Sequence, residues 1–178
     1  LEDYYCDLPF SEWSKYDSRV VENTEKILML FEKYNVNATF FVLGYIAEKF
    51  PELIKKISDL GHEISSHTYS HIDLRKVNKE EFEKDFFKSI NILEKITGKK
   101  VEGFRAPFFS INKNNYWVFE ILSKNITYDS SIFPVKTQLY GIPKAPRTIY
   151  KPSLENIIEE DKQGKLIEIP MATHKIPL

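Results

Sequence analysis

Apolar positions along this chain follow two alternating rhythms. From Ser18 to about Tyr34, the residues Val20, Val21, Thr24, Ile27, Leu28, Leu30 and Phe31 return at the period of a helix. Asn37 to Leu43 is a nearly continuous β-prone run, which predicts a strand covered on both faces. Gly44 to Phe50 predicts a short helix. Pro51 suits the first turn of the next, with Leu53, Ile54 and Ile57 inward and Gly61 just past its end. Gly61-His62-Glu63-Ile64-Ser65 alternates as a strand does. Asn78 and Glu81 read as a capping box before a helix with the stripe Phe82, Phe86, Ile90, Leu93 and Ile96, ended by Gly98. Val101 to Phe104, Ile126 to Ile132 and Leu166 to Ala172 read as strands. Asn112 is expected to open a helix carrying Trp117, Val118, Ile121 and Leu122, and Leu154 to Asp161 to form a short acidic helix. Leu1 to Phe10 reads as the tail of a first strand, Ser11 to Asp17 as loop, and 134–152 as a long loop with one short strand at Thr148 to Tyr150.

Strand and helix alternate regularly over at least five units, so a parallel sheet with helices outside is expected. The predicted fold class is α/β: a distorted or incomplete (β/α) barrel with a mostly parallel sheet, forming one domain over residues 1–178. Chemistry in such barrels sits on the loops that follow the strands.

Composition narrows the class of function. The 178 residues are 42% hydrophobic and 29% charged, ordinary values for a globular chain, and the net charge of −1 gives no electrostatic footprint for nucleic acid or an anionic membrane. A single cysteine, Cys6, excludes an internal disulfide. No apolar run approaches a membrane span and no signal-like segment is visible, so a cytoplasmic location is favoured. The chain starts at Leu1 without an initiator Met, and residues are expected before it.

Against that background one stretch stands out, Ser65-Ser66-His67-Thr68-Tyr69-Ser70-His71. Its two histidines are four apart, but Thr68, Tyr69 and Ser70 between them are poor helix formers. The pair therefore belongs on a loop leaving a strand end. Neutral imidazoles are the commonest ligands of zinc-like ions, and two of them need a third ligand and an open position to make a catalytic site. Glu2/Asp3, His67/His71, Arg105 and Asp129 each fall at or just past the end of a predicted strand, on one expected rim. Each also has an ordinary reading: loop histidines, an arginine paired with a surface carboxylate, and an Asp129 that caps a turn with Ser130 and Ser131. His62 and His174 read as structural and loop residues.

The chain resembles the polysaccharide deacetylases of the NodB-homology type, carbohydrate esterase family four. His67-Thr68-Tyr69-Ser70-His71 matches that family's H-[S/T]-x-x-H motif, Arg105-Ala106-Pro107-Phe108 its R-x-P-[Y/F] motif, and Glu2-Asp3 is similar to the remnant of its opening acidic motif. Glu-Asp-Tyr-Tyr, Gly-Phe-Arg-Ala-Pro-Phe-Phe-Ser-Ile, Tyr-Asp-Ser-Ser-Ile-Phe-Pro and Tyr-Gly-Ile-Pro resemble the subgroup found with exosortase and exopolysaccharide gene clusters.

The resemblance implies metal-dependent hydrolysis of the N-acetyl amide on a polysaccharide's sugars, with release of acetate. It implies a divalent metal, zinc first and cobalt or nickel as alternatives, held by Asp3, His67 and His71. Arg105 would hold a carboxylate base ionised. That base is Glu2 in one alignment and an Asp before Leu1 in the other. Pro107, Phe108, Phe109 and Asp129 are the expected substrate contacts. The family's late histidine motif has no match around His174, so the domain is expected to be truncated at both ends. Two other readings stay open: a non-catalytic carbohydrate-binding relative, and a metal-dependent amidohydrolase acting on a small amide. The oligomeric state and the identity of the polysaccharide stay open too.

Overall fold

The computed structural model describes residues 8–174. The first strand expected at the start of the chain, Cys6, and both Glu2 and Asp3 lie outside those residues.

Among the described residues five strands run in parallel: β1 (Thr39–Val42), β2 (Glu63–Ser66), β3 (Gly103–Phe104), β4 (Tyr128–Asp129) and β5 (Ile167–Glu168). Their order in the sheet is their order in the chain. An order that never reverses, with right-handed crossovers, puts every crossover helix on the same face of the sheet. That is the wall of a (β/α) barrel, of which the described residues supply five strands.

The helices form where their periodicity predicts. α1 (Val20–Lys33) buries Val20, Thr24 and Leu28, one residue per turn. α2 (Gly44–Lys49) leads into α3 (Pro51–Asp59), whose proline sits at the first turn and whose Leu53, Ile54 and Ile57 turn inward. α4 (Lys79–Thr97) opens on the expected capping box: the Glu81 N–H donates to Asn78 Oδ1 at 3.0 Å and the Asn78 N–H to Glu81 Oε2 at 2.9 Å. It closes at Gly98, left-handed at φ 68°. α5 is Trp117–Asn125. The densest packing lies between α4 and the sheet, where Phe82 and Phe86 stack at 5.3 Å and both meet Phe104 edge-on. These three rings are fully buried, and truncating one to alanine would cost about 3–5 kcal/mol.

Strand parity sorts the side chains. In register, Ser66, Phe104, Asp129 and Glu168 share the helix-covered face, while Phe41, Ser65, Gly103 and Tyr128 share the inner face. The inner face is polar. The Tyr128 hydroxyl donates to Glu63 Oε1 (2.9 Å) and lies 3.0 Å from Ser65 Oγ. Gly103 admits this arrangement, since a Cβ there would come within 2.2 Å of the Tyr128 ring.

Several local expectations are corrected. Residues Phe10–Lys15 form a 3-10 helix, not a loop, because Trp13 is buried as its anchor. β1 is not covered on both faces. It is the sheet edge among the described residues and Thr39 is exposed. Asn112 does not open α5. Its N–H donates to Asn115 Oδ1 (2.8 Å) and its own side chain accepts from the Asn114 N–H, a turn that competes with helix. Leu154–Asp161 is not helical, and Pro152 instead bridges to Glu160. Glu159, Glu160 and Asp161 would have sat at the C-terminal end of such a helix, against its dipole. The strand at Thr148 to Tyr150 is reduced to one antiparallel bridge, Tyr150 to Glu168.

Candidate active site

β2 ends at Ser66, and the next residue keeps strand parity, so the His67 side chain leaves on the inner face. Its N–H still donates to the Val42 carbonyl (2.9 Å). The ring is fixed from the neighbouring strand: Nδ1–H donates to the Arg105 carbonyl at 2.6 Å. A carbonyl only accepts, so Nδ1 carries the proton and Nε2 keeps its lone pair. Burial first, and then the adjacent His71, push the His67 pKa down to about 3. The ring is therefore a neutral donor over the whole physiological range. His71 lies beside it, ring centroids 5.1 Å apart, and Phe108 packs on His71 at 4.6 Å.

The backbone that brings the histidines together is held in a sparsely populated conformation. Among the described residues, five non-glycine positions have positive φ, and four of them, Thr68, His71, Phe108 and Phe109, are at this rim. Such residues cost about 1–3 kcal/mol each and persist where surrounding contacts over-determine them. Those contacts are visible. The Gly44 and Tyr45 N–H groups donate to the Thr68 and Tyr69 carbonyls (2.9 and 3.0 Å). From α4, half-buried Asp85 accepts from the Tyr69 N–H (2.6 Å), the Ser70 N–H (3.2 Å) and the Ser70 hydroxyl (2.5 Å). Gly44 is needed where it stands, since a Cβ would meet the Ser89 backbone of α4 at 2.9 Å.

Arg105 enters the same face one strand over. Its Nε donates to the Ser130 carbonyl (2.9 Å), its Nη2 to Ser130 Oγ (2.7 Å), and its guanidinium lies 4.1 Å from the Phe41 ring centre. Burial lowers its pKa, while Asp129, Tyr128 and Glu168 act to raise it. Among the described residues no ion pair to Arg105 occurs. Pro107 is buried, and the rings of Phe108 and Phe109 are partly exposed.

Asp129 is brought near these groups in sequence but not in space. Parity turns it to the helix-covered face, where it is fully buried. It accepts from Ser131 N–H (3.1 Å) and Ser131 Oγ (2.6 Å). This is the turn cap that its neighbours Ser130 and Ser131 suggested, and it leaves the side chain no surface to offer a substrate. Its partner across the sheet is Glu168, also fully buried, which accepts from the Ile132 N–H (3.0 Å) through Oε1. Among the described residues nothing donates to Glu168 Oε2. Two adjacent buried carboxyls cannot both ionise cheaply. Burial first and the Asp129 charge next push the Glu168 pKa well up, so Glu168 keeps the proton and Asp129 accepts a hydrogen bond from it.

That raised pKa has a sign. The folded state holds the Glu168 proton more tightly than the unfolded chain, so the associated stability is present below the ordinary carboxyl range, about 4.3, and is lost as pH rises toward the folded-state value. Glu168→Gln, which keeps the neutral donor, is expected to flatten this loss. Melting curves from roughly pH 4 to 8 check it, and an unchanged slope in the variant would assign the proton elsewhere.

Sequence reasoning missed Asp85, Ser130 and Glu168. Asp85 had one readable signal, an acid on the stripe that runs Phe82, Phe86, Ser89, Ile90 and Leu93. His62 is structural, as expected: it is buried, accepts from the Ala38 N–H through Nδ1 (3.3 Å) and packs on Phe31 and Phe40. His174 is exposed after β5.

The donor set suits a divalent cation as far as it is described: two adjacent imidazoles, one with its tautomer fixed by a carbonyl. Among the described residues no third His, Cys, Asp or Glu joins them, and the carboxylate expected to do so, Asp3, is outside those residues.

Residues 11–123 match the polysaccharide deacetylase family. A Bacillus cereus peptidoglycan-N-acetylglucosamine deacetylase is 42% identical over 105 residues, which are 58% of this chain and 38% of that protein. The crystal structure of the Bc1960 peptidoglycan N-acetylglucosamine deacetylase superposes with a TM-score of 0.56 at 35% identity, over 68% of this chain and 64% of that one. A Mycobacterium smegmatis crystal structure assigned to the polysaccharide deacetylases gives 0.66 at 28% identity, over 83% and 45%. This chain thus spans well under half of the B. cereus relative's length. With the matched segment running from the 3-10 helix through both histidines and the Arg105-Ala106-Pro107-Phe108 turn into α5, the chain belongs to the polysaccharide deacetylase family.

Proposed function

We propose that the protein removes the acetyl group from N-acetylated sugar units of a polysaccharide, with His67 and His71 holding a divalent cation, zinc first. The observation that carries this reading is the adjacent imidazole pair at the strand-end rim, with the His67 tautomer set by the Arg105 carbonyl. Asp3 completes the ligand set in this reading. When bound, the cation supplies Lewis acidity toward the acetyl carbonyl and toward water.

The chain's own residues do the rest. Water adds to the acetyl carbon and gives a proton to a carboxylate base, Glu2 in this reading; that proton is delivered to the sugar nitrogen as the C–N bond breaks, and the sugar amine and acetate leave. Arg105, clamped by Ser130 and Phe41, places a fixed positive charge on the inner face, which favours an ionised carboxylate base. Phe108, seated on His71, walls the site and offers a flat apolar face to a sugar ring. The Bacillus cereus relative, named as acting on peptidoglycan N-acetylglucosamine, supports this class of substrate.

Elemental analysis of the purified protein, paired with acetate release from an N-acetylglucosamine oligomer in added zinc or cobalt, tests the reading. One cation per chain with acetate release is expected. A cation without release would make the protein a glycan-binding relative, and no cation would sink the ligand assignment.

A further inference from the structure

Ser130 joins the rim to the buried carboxyl pair. On the inner face its carbonyl accepts from Arg105 Nε (2.9 Å) and its hydroxyl from Arg105 Nη2 (2.7 Å). The proton of that hydroxyl goes to the Ile169 carbonyl (2.8 Å), which leaves the oxygen's lone pairs for the guanidinium. One residue back along each strand, on the helix-covered face, Asp129 and Glu168 meet. The Ile169 N–H donates to the Asp129 carbonyl (2.8 Å). The arginine clamp and the carboxyl pair thus share one step of backbone, 129–130 on one strand and 168–169 on the next.

Arg105 is held from two sides. Its main chain belongs to β2: its N–H donates to the Ser66 carbonyl (3.0 Å), and its own carbonyl accepts from His67 Nδ1 (2.6 Å). Its side chain belongs to Ser130 and the Phe41 ring. The Ser130 N–H is fixed to the Phe104 carbonyl (2.9 Å). The part of the clamp that answers to the carboxyl pair is therefore the hydroxyl, through its bond to Ile169. Movement there reaches the guanidinium and leaves the bonds that orient His67 closed.

The charged and titratable groups around Glu168 come from every side of it. Asp129 lies on β4 and Arg105 acts from β3. Tyr150 faces the pair from the bridging segment, Tyr116 acts on Tyr150 from the start of α5, and Tyr128 acts on Arg105 from the inner face. Burial pushes all three phenols above their ordinary range. An ordinary carboxyl starts roughly six units below a phenol, so the Glu168 proton leaves before theirs. Asp129 then loses its donor, and two buried carboxylates repel across the step that carries Ser130 and Ile169.

We propose that Glu168 is a positioning residue for Arg105: its proton closes β5 onto β4 and holds the Ser130 clamp, and its loss releases the guanidinium, a pH-sensitive latch beneath the rim. The effect on acetate release rests on the deacetylase reading, but the latch is read from the guanidinium itself. The chain has four arginines, Arg19, Arg75, Arg105 and Arg147, so carbon-detected NMR resolves their Cζ atoms, with Arg105→Lys assigning the signal. In the unaltered protein the Arg105 signal should move between roughly pH 6 and 9, toward its position in Ser130→Ala. Acetate release should fall by about tenfold over the same range, with zinc content unchanged. In Glu168→Gln, whose amide still donates to Asp129, signal and rate should both stay level. An Arg105 signal that ignores pH in the unaltered protein, or moves equally in Glu168→Gln, would overturn the latch. A rate that holds level while the signal moves, or that falls only as zinc is lost, would overturn the positioning role. The expected signal in a protein that releases no acetate at any pH would keep the latch and reject the deacetylase reading instead.

Discussion

His67→Ala and His71→Ala are each expected to abolish stoichiometric binding of zinc, and with it acetate release. Two imidazoles at 5.1 Å are the only adjacent pair of such donors among the described residues, and a cation held by three protein ligands does not survive the loss of one at ordinary concentrations. The His67 variant should lose more than a ligand, because its Nδ1–H also bridges β2 to the Arg105 carbonyl. Arg105→Ala gives the contrast. Its carbonyl remains, its side chain contacts Ser130 and Phe41 and not the imidazoles, so zinc content should be unchanged while acetate release falls. Elemental analysis of the three variants separates these outcomes. Full zinc in either histidine variant would reject the ligand assignment.

Asp85→Ala is expected to weaken both the fold and the cation site. Its carboxylate takes up two backbone N–H groups and one hydroxyl of the loop between the histidines. Burial raises its pKa and these donors pull it back down. Leaving such donors without a partner costs about 1–3 kcal/mol apiece where water cannot replace it, so a net loss of roughly 2–3 kcal/mol is expected, Ser70 being partly exposed. Freed of this anchor, the loop must hold Thr68 and His71 at positive φ with the Gly44 and Tyr45 N–H bonds to its carbonyls as the remaining support. Zinc affinity should fall by about tenfold or more, the usual scale for outer contacts of a metal site. The readout is the rise in melting temperature that zinc produces, which reports affinity through linkage. A variant that melts lower but keeps the full zinc-induced rise would confine Asp85 to stability.

Much of this was legible in the sequence, for reasons that differ by element. α4 was legible because cap, stripe and terminating glycine are all local and agree: Asn78 and Glu81, then Phe82 to Leu93, then Gly98. The histidine loop was legible because Thr68, Tyr69 and Ser70 exclude helix and the strand before them alternates. The acidic segment 154–161, expected as a short helix, does not form one, and the charges at its end oppose a helix dipole there. Asp129 misled because proximity in sequence to a strand end says nothing of which face the side chain takes.

The amino-acid sequence by itself determined the parallel α/β arrangement, the histidine pair and the arginine turn, because periodicity, capping and short motifs act over a few residues. Tertiary structure alone decided the rest. Register placed His67, Arg105 and Ser130 on one face and sent Asp129 to the other, where it meets Glu168 from 39 residues further on. A shift of one residue would have reversed both assignments. The tautomer of His67, the anchoring of its loop by Asp85 and the shared proton of the buried carboxyls all depend on contacts between distant strands and helices. No local pattern encodes these, because each is fixed by burial and by the partner that burial leaves within reach.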